Sequence, residues 1–168
     1  MQNKKKLYLM CGPAGAGKTT WVRKHATPGT SAHISRDRIR FNMVKEEYYF
    51  AREDEVYIEF IRQIGKALYC EWVDEVYVDA THLTKKSREK IIGEISSNYP
   101  NMDIYAIVIK PTLEQCLLQN SNRKGRAYVP ESVICNMYKS FQDPNGDNIK
   151  YSYIEVNDEI ILGEEANE

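Results

Sequence analysis

The stretch Gly12-Pro13-Ala14-Gly15-Ala16-Gly17-Lys18-Thr19 matches the pattern G-x-x-x-x-G-K-[ST] in full. These residue types suit one task, the holding of a phosphate chain. Glycines let the backbone curl so that several N–H groups point inward, and a helix opening at the end of the motif adds the positive end of its dipole. Lys18 supplies a cation for the β- and γ-phosphates, and the Thr19 hydroxyl a ligand for Mg²⁺. Gly12 to Thr19, with Thr20 next in the helix, are therefore the expected ATP-binding residues, and ATP and Mg²⁺ the expected cofactors. Lys18 is expected to stand exposed on its loop, so that replacing it spares the fold. The motif predicts nucleotide binding and leaves the reaction open.

A second group lies in Ile34-Ser35-Arg36-Asp37-Arg38-Ile39-Arg40. Asp37 and Arg40, three residues apart, share one face of a helix's first turn. Phosphoryl transfer to an alcohol needs such a pair, a carboxylate to take the hydroxyl proton and a cation to fix the acceptor. The plainer reading makes Asp37 an N-cap and Arg40 a solvated charge. A third group is the basic segment Asn122-Arg123-Lys124-Gly125-Arg126, where helical periodicity breaks.

Apolar runs of strand length alternate with segments of helical period, the pattern of a parallel sheet covered on both faces. Strands are expected at 7–11, 33–35, 76–78, 104–109 and 151–156, with Asp79 closing the third. Helices are expected at 18–25, from Asp37, at 53–71 with Tyr57, Phe60, Ile61, Ile64 and Leu68 on one face, and from Thr84 to about Ser97. Thr112 with Gln115 forms a capping box for another. Pro130 fits the first position of a last helix, whose Val133, Ile134, Met137, Tyr138 and Phe141 share a side. Tyr48, Tyr49 and Phe50 are expected to pack against the long helix, with stacking on an acceptor base the alternative.

From about residue 7 to 142 these motifs recur in an order that resembles the phage-type polynucleotide 5′-hydroxyl kinases. The resemblance implies an α/β P-loop kinase fold, a five-stranded parallel sheet flanked by helices and closed by a basic lid. It implies that Asp37 is the general base and that Arg40 binds the acceptor; Arg36, with Arg38 the alternative, is the expected neighbouring contact to the acceptor. Val78-Asp79-Ala80-Thr81-His82-Leu83, followed by Arg88, is similar to the family's third-strand motif. Asp79 is grouped with the acceptor on that basis, a magnesium contact and a helix-approach cap being the alternatives, and the role of Thr81 stays open. The lid resemblance implies an arginine that closes over the ATP phosphates. Arg123 is chosen because guanidinium grips phosphate bidentately, with Lys124 the alternative left by one extra residue before Gly125.

The implied activity is ATP-dependent phosphorylation of the 5′-hydroxyl end of RNA or DNA, with Lys18, Asp37 and Arg123 catalytic. A small-metabolite or toxin-like sugar-nucleotide kinase would use the same groups, so a small-molecule acceptor is the alternative. A nucleotide-dependent binding module with slow ATP hydrolysis is a third reading. The aspartate-rich phosphatase motif of two-domain end-healing enzymes is absent, which makes a separate 3′-phosphatase or ligase the expected partner. Without Asn-Lys-x-Asp to read guanine a GTPase is not expected, and 168 residues are too few for a motor ATPase with its helical lid domain.

That length implies a single domain, taken as 1–156, with an acidic tail at 157–168 expected to fray. With 23 Lys+Arg against 24 Asp+Glu there is no general positive field for long nucleic acid, so any anion must be caught locally. Cys11, Cys70, Cys116 and Cys135 lie far apart and read as buried free thiols. His25, His33 and His82 are isolated from one another and carry no catalytic assignment. No apolar run reaches the length of a signal core or membrane span, so no membrane association and a cytoplasmic location are expected.

Overall fold

The computed structural model describes residues 4–147 and 152–155. Strands β1 (Lys5–Cys11), β2 (Ser31–Ser35), β3 (Glu75–Asp79), β4 (Met102–Val108) and β5 (Ser152–Glu155) form one sheet in the order β2-β3-β1-β4-β5. Every pairing is parallel, in agreement with the alternating pattern of the sequence. Residues 151 and 156, included in the expected last strand, and the acidic tail lie outside the described residues. Helices are α1 (Lys18–His25), α2 (Arg36–Met43), α3 (Glu53–Tyr69), α4 (Lys85–Asn98), α5 (Leu113–Ser121) and α6 (Glu131–Ser140).

Period-two alternation along the central strands divides the core into two layers. Leu7, Leu9, Val76 and Val78 face a cluster with Val56, Phe60, Ile64 and Leu68 of α3 and Ile91, Ile92 and Ile95 of α4. Met10 and Tyr77 face the other way, toward Trp21 and Val22 of α1, Cys116 of α5 and Ile134 of α6. Tyr8 stacks between Tyr77 and Tyr105 at centroid distances of 4.6 and 4.9 Å, joining three strands on that face. The sheet's carboxyl edge, where all strands end together, is thus held rigidly between two helical layers.

Local signals explain the helix starts. Thr84 and Thr112 each accept a hydrogen bond from the N3 amide and complete reciprocal capping boxes, with Ser87 and Gln115. Pro130 stands one position earlier than expected, as the N-cap of α6. That helix buries Ile134 and half-buries Met137 and Tyr138, while Val133 is exposed. A residue one step from Ile134 is turned 100° away from it, so Val133 falls on the flank of the packed stripe.

The fully buried Arg88 donates Nε and Nη2 to the two carboxylate oxygens of Asp147 at 2.6 and 2.9 Å, and Nη1 to the His82 carbonyl. This pair ties the turn after α6 to α4, and removing one partner would cost about 3–5 kcal/mol. All four cysteines are free. Cys11 and Cys116 are buried as expected, whereas Cys70 and Cys135 are only partly so, since they lie at a helix end and on the flank of α6. Burial pushes the Cys11 thiol up to about 12, which leaves it inert as a nucleophile.

Candidate functional site

The Gly12–Gly17 loop joins β1 to α1 at the carboxyl edge of the central strand. Two glycines are demanded by close approach. A Cβ at Gly12 would lie 2.0 Å from the Ile109 carbonyl oxygen, and one at Gly15, where φ is +77°, would lie 2.4 Å from that of Cys116. Cys11 and Ile109 are joined through the main chain, and the Gly12 amide donates to the Thr81 carbonyl, so the loop is fastened to both neighbouring strands. Gly17, the N-cap of α1, provides no side-chain cap. Among the described residues, the amides of Ala14, Gly15 and Gly17 meet no backbone carbonyl. Uncapped amides at a helix start form the cradle that a phosphate chain requires. Pro13 and Ala16 are buried in the loop wall, and Thr20 is buried behind Thr19.

Lys18 corrects one expectation, because its side chain is buried rather than exposed. Its Nζ donates to the carbonyls of Gly12 and Pro13 at 2.9 and 2.8 Å, folding the ammonium over its own loop. Burial pushes its pKa down, a shift opposed by the charge of Asp79 and reinforced by that of Arg123, with Asp37 a further opposing charge. Lys124 is exposed and is not among the charges that act most strongly on Lys18.

Asp79 sits with the P-loop, not with the arginines of α2. Its Oδ2 accepts from the Thr19 hydroxyl at 2.8 Å and faces His33 Nε2, also at 2.8 Å. Burial alone would raise the Asp79 pKa; the bond from His33, the Lys18 charge and the bond from Thr19 outweigh it and hold the carboxyl below its ordinary range. The placement follows from sheet register, since Ser35 and Asp79 pair at the ends of adjacent parallel strands and β3 lies beside β1. A threonine hydroxyl and one ionised carboxylate beside a phosphate cradle are donors suited to Mg²⁺, which binds few protein oxygens and takes its other ligands from phosphate and water. Sequence reading assigned His33 no role. Only the strand register, invisible in residue spacing, brings it to Asp79.

The residues expected to bind the acceptor stand on α2, capped by the Ser35 hydroxyl. Asp37 in its first turn remains open to solvent, with 63% of its side chain exposed. Arg40, one turn on, is buried and donates Nη1 to Asp37 Oδ1 at 2.7 Å. The same guanidinium forms a fork with Glu53 of α3, Nε to Oε1 at 2.5 Å and Nη2 to Oε2 at 3.0 Å. Three of its five N–H donors are thereby engaged by the two carboxylates. Arg36 also donates to Glu53 and lies over the Tyr57 ring at 5.2 Å, so it faces α3. Burial alone would raise the Glu53 pKa, but the paired arginines hold it below the ordinary carboxylate value.

The lid is the loop between α5 and α6. Buried Asn120 closes its base, donating to the Val129 carbonyl at 2.7 Å and accepting from the Val129 amide at 3.0 Å. At its crest, the 3-10 turn Gly125–Ala127 sends Arg126 across to α2, where Nη1 donates to the Val44 carbonyl at 2.5 Å and Nη2 to that of Phe41 at 3.4 Å. Arg123 lies between these points, half-buried and with no side-chain hydrogen bond or ion pair among the described residues. Arg88, part of the resemblance after the third strand, is committed to its buried pair with Asp147. Thr81 offers its carbonyl to the P-loop amide of Gly12.

The aromatic segment also departs from expectation. Tyr48 and Phe50 are exposed rather than packed against α3, and Tyr49 reaches Asp37 instead. The segment precedes the first turn of α3, so its rings fall beyond the helix face that Phe60 and Ile64 bury.

A family model described as an AAA domain matches residues 7–144. A chain of the Pnkp1/Rnl/Hen1 RNA repair complex superposes with a TM-score of 0.66 at 20% identity, over 83% of this chain and 45% of that one. A fungal RNA kinase gives a TM-score of 0.65 at 17% identity, over 95% and 40% of the respective chains. A gluconokinase from Sinorhizobium meliloti 1021 gives 0.57 at 15% identity, over 93% and 83%. These likenesses establish the fold. The chain spans less than half the length of the first two. A search of curated proteins finds no significant match. Among the described residues, no helix is long and apolar enough to cross a membrane.

Proposed function

The chain belongs to the AAA-domain family matched over residues 7–144 and has a P-loop kinase fold, and from that premise we propose that it transfers the γ-phosphoryl group of ATP to the 5′-hydroxyl end of RNA or DNA. The observation that carries the proposal is the register that sets Ser35, the cap of α2, beside Asp79, which accepts from Thr19 of the P-loop at 2.8 Å. It brings the phosphate loop and the first turn of α2, with its open carboxylate Asp37, to the same edge of the sheet.

In this reading the uncapped amides of α1 and the Lys18 ammonium bind the ATP phosphates, and Thr19 with Asp79 would hold Mg²⁺, which when bound would supply positive charge to offset that of the phosphates. His33 keeps the Asp79 carboxylate oriented and ionised. Asp37 takes the proton of the acceptor hydroxyl as the new O–P bond forms and the bond to ADP breaks. Arg40 aims Asp37 through its 2.7 Å hydrogen bond and offers its remaining donors to the acceptor phosphate. Arg123 neutralises charge that develops in transfer, and so acts more on kcat than on ATP affinity.

A nucleic-acid end is favoured over a sugar because arginines and exposed aromatic rings border Asp37 together. The test is acceptor-stimulated ADP release, screened over 5′-hydroxyl oligonucleotides, nucleosides and gluconate. Stimulation by the oligonucleotides alone is expected. Stimulation by gluconate or a nucleoside instead would make the protein a metabolite kinase, and acceptor-independent ADP release would make it a binding module.

A further inference from the structure

The segment between α2 and α3 carries three aromatic residues, Tyr48, Tyr49 and Phe50, of which Tyr49 reaches the proposed base Asp37, and they are not equivalent. Tyr49 is fastened: its hydroxyl lies 3.3 Å from the Asp37 carbonyl and 3.5 Å from Oδ1, and its ring carries Arg40 at 5.5 Å and Arg126 at 5.7 Å. Phe50 meets Tyr49 edge to face at 5.3 Å and carries the Arg40 guanidinium at 4.9 Å. Tyr48 meets Phe50 edge to face at 6.1 Å and is otherwise turned outward, with 68% of the residue exposed. An anchored ring thus presents two others to solvent.

Clustered aromatic exposure of this kind is unusual on a soluble surface, and the core gains nothing from it. Its neighbours identify what would cover it. Arg40 and Arg126 supply positive charge along the segment, and Asp37 supplies the base that defines where the reacting hydroxyl lies. Rings for a π-face, guanidinium groups for phosphate and a carboxylate for a terminal hydroxyl together match the end of a single strand. A monosaccharide would have no flat face for the rings.

Building on the proposed kinase activity, we infer that Tyr48, backed by Phe50, is a stacking platform for the terminal bases of the acceptor strand and sets the preference for base-bearing acceptors over sugars. Tyr48 is the free ring, so it contributes binding without entering the chemistry. Base–aromatic stacking of this type is commonly worth about tenfold in affinity per ring.

The experiment compares a 5′-hydroxyl trinucleotide with its counterpart lacking bases at the first two positions, using wild type, Tyr48→Ala and Tyr48→Trp. The wild type should show a KM about tenfold higher for the abasic strand at similar kcat. Tyr48→Ala should raise KM about tenfold for the base-bearing strand and leave the abasic strand unaffected, and Tyr48→Trp should restore the preference. Equal KM for the two strands, or an equal rise for both in Tyr48→Ala, would overturn the platform. A trinucleotide carrying 2-aminopurine at its first position separates this result from the kinase reading, because stacking quenches the fluorophore without any transfer. Quenching lost in Tyr48→Ala but unaccompanied by transfer would support the platform and overturn the kinase assignment. Transfer without quenching would overturn the platform alone.

Discussion

The Thr19 hydroxyl donates to the Asp79 carboxylate at 2.8 Å, linking the last residue of the P-loop motif to the end of the neighbouring strand. This relationship is the ground for the proposed place of Asp79 on the metal side of the site, and on that proposal Asp79→Asn should raise the Mg²⁺ concentration for half-maximal transfer by about tenfold or more. The acceptor KM at saturating Mg²⁺ should stay near that of the wild type. A Mg²⁺ titration of initial rates checks both, and an acceptor-specific loss would return Asp79 to the substrate side.

Asp37→Asn keeps the oxygen that accepts from Arg40 while removing the proposed base. Transfer should fall by about 10²-fold or more, with ATP affinity unchanged by equilibrium binding. A loss of ATP binding would place Asp37 in the nucleotide site.

Arg126 joins the lid to the last turn of α2 through the Val44 and Phe41 carbonyls. Because Asp37 and Arg40 stand on the same helix, this latch fixes the lid relative to the acceptor group. Arg126→Ala should therefore lower kcat and increase proteolytic cleavage within 121–128 in the ATP-bound protein. Arg123→Ala should lower kcat without that increase, and Lys124→Ala should do neither. Steady-state kinetics with limited proteolysis separates the three variants.

The legible part of this molecule was whatever short-range spacing encodes. The Gly12–Thr19 motif, the Asp37–Arg40 turn and the Thr112–Gln115 box each lie within eight residues, and periodicity placed α3 and the parallel strands. Contacts across elements were hidden. Glu53 reads in sequence as an acidic residue suited to a helix start, yet it carries both Arg36 and Arg40. His33 reaches Asp79 only through strand register. The burial of Lys18 was missed because nothing in the motif shows that its chain folds back onto loop carbonyls.

His82 provides a test that needs no catalysis. It is buried at φ 42°, its Nδ1 lies 2.6 Å from the Met10 carbonyl as donor, and its Nε2 has no partner among the described residues. Burial pushes its pKa down to about 4, below the ordinary value near 6.5. The neutral ring thus favours the folded state. Its contribution should be complete above about pH 6.5 and decline as pH falls toward 4, by up to about 1.4 kcal/mol per unit. His82→Asn, which tolerates the positive φ, should flatten that slope in urea unfolding followed across this range.

The central claim is tested most directly by the position of transferred label. A 5′-hydroxyl hexanucleotide and its 5′-phosphorylated twin are incubated with γ-labelled ATP, digested to nucleotides and separated. The account predicts label on the terminal nucleotide of the hydroxyl strand alone, removable by a 5′-phosphatase and abolished in Asp37→Asn. Equal labelling of both strands, or ADP release without label on either, would contradict it.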